Sequence, residues 1–413
     1  MDIKIIPSSL NGSVTVPPSK SAAHRALICA ALSGGECKVT PYCTSKDIKA
    51  TVSCLKNLGM NIQENSQGYI ISKGNVQKGA TLNFGESGST ARFLLPVAAA
   101  LGANCVCTGE GRLPERPMNT LTTLLREHGV AVSQDNLPIT LNGTMNGGEF
   151  CLPGNISSQF ISGLLMAAPI LESDVNIIPT TALESVGYID MTISAMKKYG
   201  VNVEETVNGW FVSKESGYTP QDTVIEGDWS QAAFFMSAAA IGGDIKIAGL
   251  DFASNQGDMA ALDVFAAFGA NISLENNVLH ISKGNLKGIT VNAANIPDMV
   301  PAIAATAAFA EGKTVIHSAE RLRIKESDRI KTTLAALNAM GVKTEEKEDG
   351  MVIYGGKPNG AVIDGANDHR IVMAFSVAAA YANGESTIKG IEAVEKSYPE
   401  FFEDFKKIGG KPI

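Results

Sequence analysis

The sequence has few cysteines, and none of them is spaced as a metal site. Its seven cysteines include no CxxC pair and no Cys/His cluster, which predicts reduced thiols in a cytoplasmic protein without a bound metal. It also lacks a clean apolar run long enough to span a bilayer, and Asp2, Lys4 and Pro7 interrupt any signal-peptide core. A Walker loop and a dinucleotide fingerprint are missing too. These absences predict no membrane association and no cofactor.

Positive charge is scarce as well. The chain has 34 Lys and Arg residues against 42 Asp and Glu residues, a net charge of −8. This balance argues against a general polyanion binder such as a nucleic-acid-binding protein. It is compatible with a small anionic substrate, provided that a few lysines and arginines converge at one place.

What the sequence does contain is an internal repeat. Six segments share one order of parts: a polar motif, an apolar helix rich in small residues, a short strand, and an amphipathic helix that ends at glycine before another strand. These glycines recur about every 70 residues, and each is expected at a helix C′ position with a left-handed backbone: Gly59, Gly129, Gly200, Gly269, Gly341 and Gly409.

The two kinds of helix predict the fold class. The first helix of each repeat is apolar nearly all round and is therefore expected to be buried, whereas the second has a polar face for solvent. Six buried helices cannot share one small core. We therefore predict an α/β fold with two domains, each built from three repeated βαβαββ-type units whose buried helices are surrounded by sheets, an inside-out α/β barrel.

The domain boundaries are expected where the repeats change halves. The fourth repeat opens near Glu226 and Gly227, and Pro17–Pro18 fixes an extended backbone. We predict one domain over residues 20–226 and another over residues 1–19 plus 227–413, with the strand region 3–16 pairing in the C-terminal half. Helix N-termini are anion-binding sites, so the active site is expected in the cleft between the domains.

The polar motifs that open the repeats concentrate cations, hydroxyls and carboxylates. In the first half they are PSKSAAHRA (18–26), FGESGSTAR (84–92), GEGRLPERPM (109–118), SSQF (157–160) and ESVGYID (184–190). In the second half they are NIPDMVP (295–301), RLRIKESDR (321–329), NDHR (367–370) and EKSYPEFF (395–402). Taken singly, each has an ordinary explanation as a helix cap, a turn, a core tyrosine or a solvated charged stretch.

Taken in order over nearly the whole chain, these motifs resemble the family of 3-phosphoshikimate 1-carboxyvinyltransferase, also called EPSP synthase. The resemblance implies a shikimate 3-phosphate site formed by Lys20, Ser21, Arg25, Ser157, Ser158, Gln159, Ser185, Tyr188, Asp298 and Lys325. It implies a phosphoenolpyruvate site formed by Lys20, Gly88, Arg116, Gln159, Arg329, Arg370 and Lys396. It implies Asp298, Glu326 and Lys20 as the catalytic residues, with no metal.

Two positions depart from the family pattern. Glu86 and Arg321 both stand where the family often has asparagine. We assign no ligand role to Glu86, because a second carboxylate beside an anion is unfavourable. We expect Asp298 to be a helix N-cap as well as a substrate contact, because a carboxylate just before a buried helix is a common cap.

The resemblance implies transfer of the enolpyruvyl group of phosphoenolpyruvate to the 5-hydroxyl of shikimate 3-phosphate, by addition and then elimination. This gives 5-enolpyruvylshikimate 3-phosphate and phosphate on the way to chorismate and the aromatic amino acids. Asp298 would accept from the hydroxyl, and Glu326, or secondly Lys20, would protonate carbon 3. The resemblance further implies a monomer that glyphosate inhibits.

Two alternatives remain at this stage. UDP-N-acetylglucosamine enolpyruvyl transferase is similar to this family, but it usually carries a catalytic cysteine in the loop that here reads GEGRLPERPM. A non-catalytic protein that binds an anionic metabolite would need the cations but not Asp298 and Glu326. Release of phosphate from phosphoenolpyruvate with shikimate 3-phosphate separates the three hypotheses.

Overall fold

A computed structural model describes all 413 residues. Twelve α-helices follow one another along the chain, and none is long and apolar enough to cross a membrane. They are α1 (Lys20–Leu32), α2 (Lys46–Asn57), α3 (Gly88–Ala100), α4 (Asn119–Glu127), α5 (Ser158–Ala167), α6 (Val186–Lys198), α7 (Trp229–Gly242), α8 (Ala261–Phe268), α9 (Val300–Ala307), α10 (Arg329–Ala339), α11 (His369–Tyr381) and α12 (Phe401–Lys407).

Twenty-four short strands alternate with these helices. They are β1 (Asp2–Ile6), β2 (Asn11–Thr15), β3 (Cys37–Thr40), β4 (Asn61–Asn65), β5 (Gly68–Ser72), β6 (Thr81–Asn83), β7 (Val106–Thr108), β8 (Ala131–Val132), β9 (Ile139–Asn142), β10 (Gly148–Leu152), β11 (Val175–Pro179), β12 (Glu204–Thr206), β13 (Gly209–Val212), β14 (Thr223–Val224), β15 (Asp244–Ala248), β16 (Asn271–Glu275), β17 (Val278–Ser282), β18 (Thr290–Asn292), β19 (Lys313–His317), β20 (Lys343–Lys347), β21 (Gly350–Tyr354), β22 (Val362–Asp364), β23 (Ser386–Lys389) and β24 (Lys411–Pro412).

The chain divides into two compact units. The N-unit is Pro18–Ile225, and the C-unit is Met1–Pro17 together with Glu226–Ile413. The sequence had suggested divisions after residues 19 and 226, and the units part after Pro17 and Ile225. Each unit has its own hydrophobic core.

Each unit contains three four-stranded sheets. The strand orders are β14-β3-β5-β4, β6-β7-β9-β8 and β10-β11-β13-β12 in the N-unit, and β2-β15-β17-β16, β18-β19-β21-β20 and β22-β23-β1-β24 in the C-unit. In all six sheets the first pair of strands is parallel and the other two pairs are antiparallel. This confirms the repeated βαβαββ unit, and the sheets remain six open sheets rather than one closed barrel.

The N-terminal strands complete two repeats of the C-unit. Strand β1 pairs with β23 and β24, and strand β2 lies parallel to β15. The predicted pairing of residues 3–16 with the C-terminal half is therefore confirmed.

Helix burial follows the predicted division into two kinds. Helix α7 is buried from Trp229 to Ile241 and α11 from His369 to Ala380, whereas the second helix of each repeat has exposed positions. All six helix-ending glycines have a positive φ, between 78° and 101°. The glycine pattern was therefore a valid sequence signal for six helix ends, since this backbone region strains other residues.

The polar motifs sit at the starts of the buried helices. Ser19, Ser87 and Ser157 cap α1, α3 and α5, and each side chain accepts a backbone N–H of the first turn. Asp228 and Asp368 cap α7 and α11 in the same way. Four of the polar motifs are therefore held at the N-termini of buried helices, where backbone N–H groups favour anions: PSKSAAHRA, FGESGSTAR, SSQF and NDHR.

Candidate active site

In the N-unit, the first motif joins α1 to α2 and α6. The Lys20 ammonium lies 2.7 Å from Oδ2 of Asp47, in the first turn of α2. Arg25 is 2% exposed and donates from Nε to Thr192 Oγ1 at 2.7 Å. It also donates to the carbonyl oxygens of Ser21 at 2.7 Å and Tyr188 at 2.8 Å. The structure thus brings Ser21, Arg25 and Tyr188 together, and Arg25 commits most of its N–H groups to the protein.

Burial affects the charge state of Arg25 as well. Desolvation lowers the pKa of its guanidinium to about 10, which still leaves it cationic at neutral pH. A buried guanidinium with several protein acceptors fixes the relative placement of α1 and α6. Its remaining capacity for a substrate is therefore smaller than the sequence motif alone indicated.

Ser185 begins α6 in a strained conformation. It is 2% exposed and has φ 55° and ψ 44°, in the left-handed region, and its side chain caps nothing. Non-glycine residues in this region cost about 1 kcal/mol or more and are frequent at binding sites. This geometry supports a binding role for Ser185, which no sequence pattern had indicated beyond the family resemblance.

The second and third motifs meet around Arg116. Gly88 is the first residue of α3, and a Cβ placed on it would lie 2.7 Å from Nη1 of Arg116 and 3.0 Å from Nη1 of Arg92. Gln159, in the first turn of α5, accepts from Arg92 through Oε1 at 2.7 Å. Ser158 beside it is 6% exposed. The Arg116 guanidinium therefore lies at the N-terminus of α3, an arrangement suited to a phosphate, whereas the Arg92 guanidinium is hydrogen-bonded to Gln159.

In the C-unit, Asp298 lies among three cations. Its carboxylate oxygens are 3.4 Å from Lys325 Nζ, 3.0 Å from Arg329 Nη1 and 3.1 Å from Arg370 Nη2. Burial raises the pKa of this carboxyl, but the charges of Arg370, Lys325 and Arg329 outweigh burial and hold it well below its usual value. Asp298 is therefore ionised at neutral pH.

The expectation that Asp298 is a helix N-cap is wrong. It lies in the 3₁₀ turn Pro297–Met299, and the cap position of α9 is Met299, which has no capping side chain. The physical reason is that the three cations draw the carboxylate away from the backbone N–H groups of α9.

Arg329 holds the rest of this cluster together. It is 1% exposed and donates from Nη2 to Glu326 Oε2 at 2.7 Å and from Nε to Asp368 Oδ2 at 2.8 Å. Desolvation lowers the pKa of Arg329, but Asp368, Glu326 and Asp298 raise it further, so its net shift is upward. Asp368 also caps α11 by accepting from the Arg370 backbone N–H at 3.0 Å. The starts of α10 and α11 are therefore tied through one buried ion pair.

Lys325 and Lys396 occupy different environments in this cluster. Desolvation lowers the pKa of Lys325 to about 8, although the charge of Asp298 opposes the shift. Lys396 is 6% exposed and donates to the Asn367 carbonyl at 2.6 Å, beside the start of α11. Arg321 Nη2 lies 3.4 Å from the Ala294 carbonyl, and its positive charge contributes to lowering the Lys325 pKa.

Sequence reasoning missed the carboxylates that hold these cations. Asp47 follows the Ser45 cap of α2, and Asp368 caps α11, which are common positions for acidic residues with no functional meaning of their own. Thr192 lies in the middle of α6 and carried no signal at all. No group of three or more His, Cys, Asp and Glu side chains in the structure could hold a metal ion.

Comparison with known proteins gives one family. The family model described as EPSP synthase (3-phosphoshikimate 1-carboxyvinyltransferase) matches residues 5–405. The 3-phosphoshikimate 1-carboxyvinyltransferase of Clostridium novyi is 42% identical over 424 residues, covering 99% of this chain and 98% of the relative. The protein of the same name from Methanocorpusculum labreanum is 39% identical, covering 99% of each chain.

Solved structures agree in fold. EPSP synthase from Acinetobacter baumannii superposes with a TM-score of 0.84 at 28% identity, covering 100% of this chain and 99% of that one. The enolpyruvyl transferase NikO from Streptomyces tendae gives a TM-score of 0.81 at 15% identity, with coverage of 100% and 98%. The second likeness concerns the fold alone.

Proposed function

Because the chain belongs to the EPSP synthase (3-phosphoshikimate 1-carboxyvinyltransferase) family, we propose that it transfers the enolpyruvyl group of phosphoenolpyruvate to shikimate 3-phosphate. The products are 5-enolpyruvylshikimate 3-phosphate and phosphate, and the reaction is an intermediate step of the shikimate pathway. The observation that carries this proposal is the position of Asp298, whose carboxylate lies within 3.4 Å of Lys325, Arg329 and Arg370. A base surrounded by anion-binding groups suits a hydroxyl that attacks an anionic substrate.

The chemistry divides into an addition and an elimination. The 5-hydroxyl oxygen bonds to carbon 2 of phosphoenolpyruvate, while its proton passes toward Asp298. Carbon 3 receives a proton from Glu326, which carries this proton once the bound phosphate offsets the charges of Lys325 and Arg329. The bond between carbon 2 and the phosphate oxygen then breaks, and the phosphate leaves with the proton held by Asp298. Carbon 3 returns its proton to Glu326, which regenerates the double bond. Lys20 is the second candidate for the proton donor. Arg329, which contacts both Asp298 and Glu326, would keep the two carboxylates in place.

The substrates would be shared between the two units. We assign shikimate 3-phosphate to Lys20, Ser21, Arg25, Ser157, Ser158, Gln159, Ser185, Tyr188, Asp298 and Lys325. We assign phosphoenolpyruvate to Lys20, Gly88, Arg116, Gln159, Arg329, Arg370 and Lys396. The reaction needs these groups at one pair of substrates, so we propose a site in a cleft to which both units contribute.

The proposed substrate-binding groups of each unit form one half-site. The charges in the two half-sites support different roles for the N-unit and the C-unit. In the C-unit cluster, the three carboxylates Asp298, Glu326 and Asp368 contact Lys325, Arg329 and Arg370. In the N-unit, Arg25 lies against the Thr192 hydroxyl, Arg116 lies beside Gly88, and one carboxylate, Asp47, pairs with Lys20. We therefore propose that the N-unit attracts the phosphates and the C-unit carries the proton transfers.

Three finer proposals follow from the family. Glyphosate carries a phosphonate and a carboxylate, so we propose that it competes for the phosphoenolpyruvate site. A monomer would suffice, because one chain holds both half-sites. A cytoplasmic location is supported by the seven cysteines, six of them buried, whose thiols suit a reducing compartment.

Measuring phosphate release from phosphoenolpyruvate tests the proposed function. We expect release with shikimate 3-phosphate and none with UDP-N-acetylglucosamine or with phosphoenolpyruvate alone. Release only with UDP-N-acetylglucosamine would identify the activity of UDP-N-acetylglucosamine enolpyruvyl transferase, which the family match does not favour. Release with neither acceptor would leave a binding protein.

A further inference from the structure

The orientation of the Gln159 amide is fixed by Arg92. Arg92 Nη1 lies 2.7 Å from Gln159 Oε1, and Gln159 Nε2 lies 2.8 Å from Ser89 Oγ. A guanidinium has only donors, so the amide atom that faces it must be the oxygen. The amide nitrogen consequently faces Ser89 and the start of α3, beside Gly88.

Two residues, Pro96 in α3 and Gly163 in α5, allow the Arg92 and Gln159 side chains to come close together. A Cβ on Gly163 would lie 2.3 Å from the Arg92 carbonyl oxygen and 3.0 Å from Pro96 Cγ. Pro96 has no N–H to donate back to that carbonyl as an ordinary helical residue would. Helix α5 therefore approaches α3 closely at Arg92, and Gln159, one turn before Gly163, comes within reach of the Arg92 side chain.

Arg92 itself has little freedom to move. It is 3% exposed, and its guanidinium carbon lies 5.4 Å from the centre of the Phe160 ring, a distance at which a cation is attracted to the ring face. Its Nη1 would also lie 3.0 Å from a Cβ on Gly88. The guanidinium is thus packed at the junction of Gly88, Gln159 and Phe160.

We propose that Arg92 is a positioning residue that makes Gln159 an obligate hydrogen-bond donor to phosphoenolpyruvate. The inference rests on the proposed function, in which Gln159 contacts this substrate. One N–H of the amide donates to Ser89 Oγ, and the second is directed to the anion. Without a donor at position 92 the amide rotates by half a turn and presents its oxygen, which repels an anion.

The test compares Arg92→Met with Arg92→Lys in steady-state kinetics. Arg92→Met raises the KM for phosphoenolpyruvate about tenfold or more, as expected for losing a hydrogen bond to a charged group. The KM for shikimate 3-phosphate rises by a smaller factor, because Gln159 is only one of the ten residues assigned to that substrate. Lysine also has donors only, so Arg92→Lys keeps most of the affinity. Arg126→Met removes an exposed arginine of the same unit and serves as the control.

A double-mutant cycle with Gln159→Ala distinguishes positioning of Gln159 by Arg92 from a merely structural role of Arg92. Once Gln159 is absent, Arg92→Met has no further effect on the KM for phosphoenolpyruvate, because the two residues act as one unit. Additive effects, or a normal KM in folded Arg92→Met, overturn the proposal. A wild-type protein without phosphate release would overturn the proposed function instead.

A second variant keeps the proposal testable if Arg92→Met does not fold. Gln159→Glu retains an acceptor for Arg92 but has no N–H to donate when ionised. We expect normal thermal stability and a KM for phosphoenolpyruvate raised about tenfold or more. An unchanged KM in this variant would contradict the proposal whatever Arg92→Met does.

Discussion

Arg370 binds Asp298 through two separate atoms. Its Nη1 lies 2.8 Å from the Asp298 carbonyl oxygen, and its Nη2 lies 3.1 Å from Oδ2 of the carboxylate. The contact joins the start of α11 to the 3₁₀ turn that precedes α9. Arg370 therefore fixes both the backbone and the side chain of Asp298, so the carboxylate is aimed as well as kept ionised.

Replacing Asp298 by asparagine tests whether the basicity of this side chain, rather than its shape, is needed for turnover. Asp298→Asn keeps the side-chain volume but cannot accept a proton, so we expect kcat to fall by about 10²–10⁴, the usual contribution of a general base. Shikimate 3-phosphate should still bind in calorimetry. Asp244→Asn, at an exposed carboxylate of the same unit, is the control. A kcat within about threefold of wild type would remove Asp298 from the proton transfer.

Gly88→Ala tests the proposed phosphoenolpyruvate site in the N-unit. The new methyl would lie 2.7 Å from Arg116 Nη1, so the guanidinium must shift away from the start of α3. We expect the KM for phosphoenolpyruvate to rise about tenfold, with a smaller change for shikimate 3-phosphate. Gly34→Ala introduces the same methyl where nothing lies within 4 Å and should be kinetically silent. Equal effects on both substrates would argue against a local change.

The Arg329–Asp368 pair should dominate the stability of the C-unit. Asp368 is fully buried and Arg329 is 1% exposed, so Asp368→Ala removes the cap of α11 and the buried acceptor of Arg329 Nε, while Glu326 and Asp298 still contact the guanidinium. We expect a loss of about 2–4 kcal/mol in the free energy of unfolding, from the lost cap and the lost charged hydrogen bond. Glu385→Ala breaks the exposed pair with Lys4 in the C-unit and should cost about 1 kcal/mol or less.

The measurement needs a signal from one unit only. The chain has two tryptophans, Trp210 in the N-unit and Trp229 in the C-unit. In a Trp210→Phe background, urea unfolding followed by fluorescence reports Trp229 and hence the C-unit. Equal midpoints for Asp368→Ala and its parent would show that the buried pair contributes little.

Glu326→Gln tests the proton donor to carbon 3. Glutamine can still accept from Arg329, so the cluster should persist, but it cannot deliver a carboxyl proton. We expect kcat to fall by about 10²–10⁴ while both substrates still bind. Near-normal turnover in a stopped-flow phosphate assay would transfer the role to Lys20, whose ammonium lies 2.7 Å from Asp47.

The sequence predicted the repeat, the helix ends and the positions of the polar motifs, because these depend on local backbone chemistry. Gly341 and Gly409, for example, follow the C-cap residues of α10 and α12 and take the positive φ expected of a C′ glycine. It could not predict how the charges are shared, because that depends on contacts between distant segments. Asp368 contacts Arg329 across 39 residues, and Arg25 contacts Thr192 across 167.

The misassigned cap at Asp298 shows the same limit. A carboxylate before a buried helix usually caps it, and Asp228 and Asp368 do so. Asp298 differs because it meets Lys325 and Arg329 from the start of the second helix of its repeat, and Arg370 from the next repeat. The local pattern was the same in all three cases, and only the long-range contacts distinguish the residue proposed to act in catalysis.

Deprotonation of Lys325 at alkaline pH should stabilise the folded chain but weaken the binding of anionic substrates. Desolvation brings its pKa to about 8 in the folded chain, from 10.5 for an unperturbed lysine. Between these values the unfolded chain binds the proton more tightly, so this group makes the free energy of unfolding rise with pH from about 8 to about 10.5. Substrate binding responds the other way, because the ammonium needed for an anion is lost above pH 8.

We therefore expect kcat/KM for shikimate 3-phosphate to fall about tenfold per pH unit above roughly pH 8, since a phosphate monoester stays dianionic throughout that range. Lys325→Arg should remove this alkaline limb, because arginine stays charged beyond pH 12. The exposed Lys331→Arg, in the neighbouring helix α10, makes the same exchange outside the cluster and should leave the limb in place. A limb that persists unchanged in Lys325→Arg would assign the titration to another group.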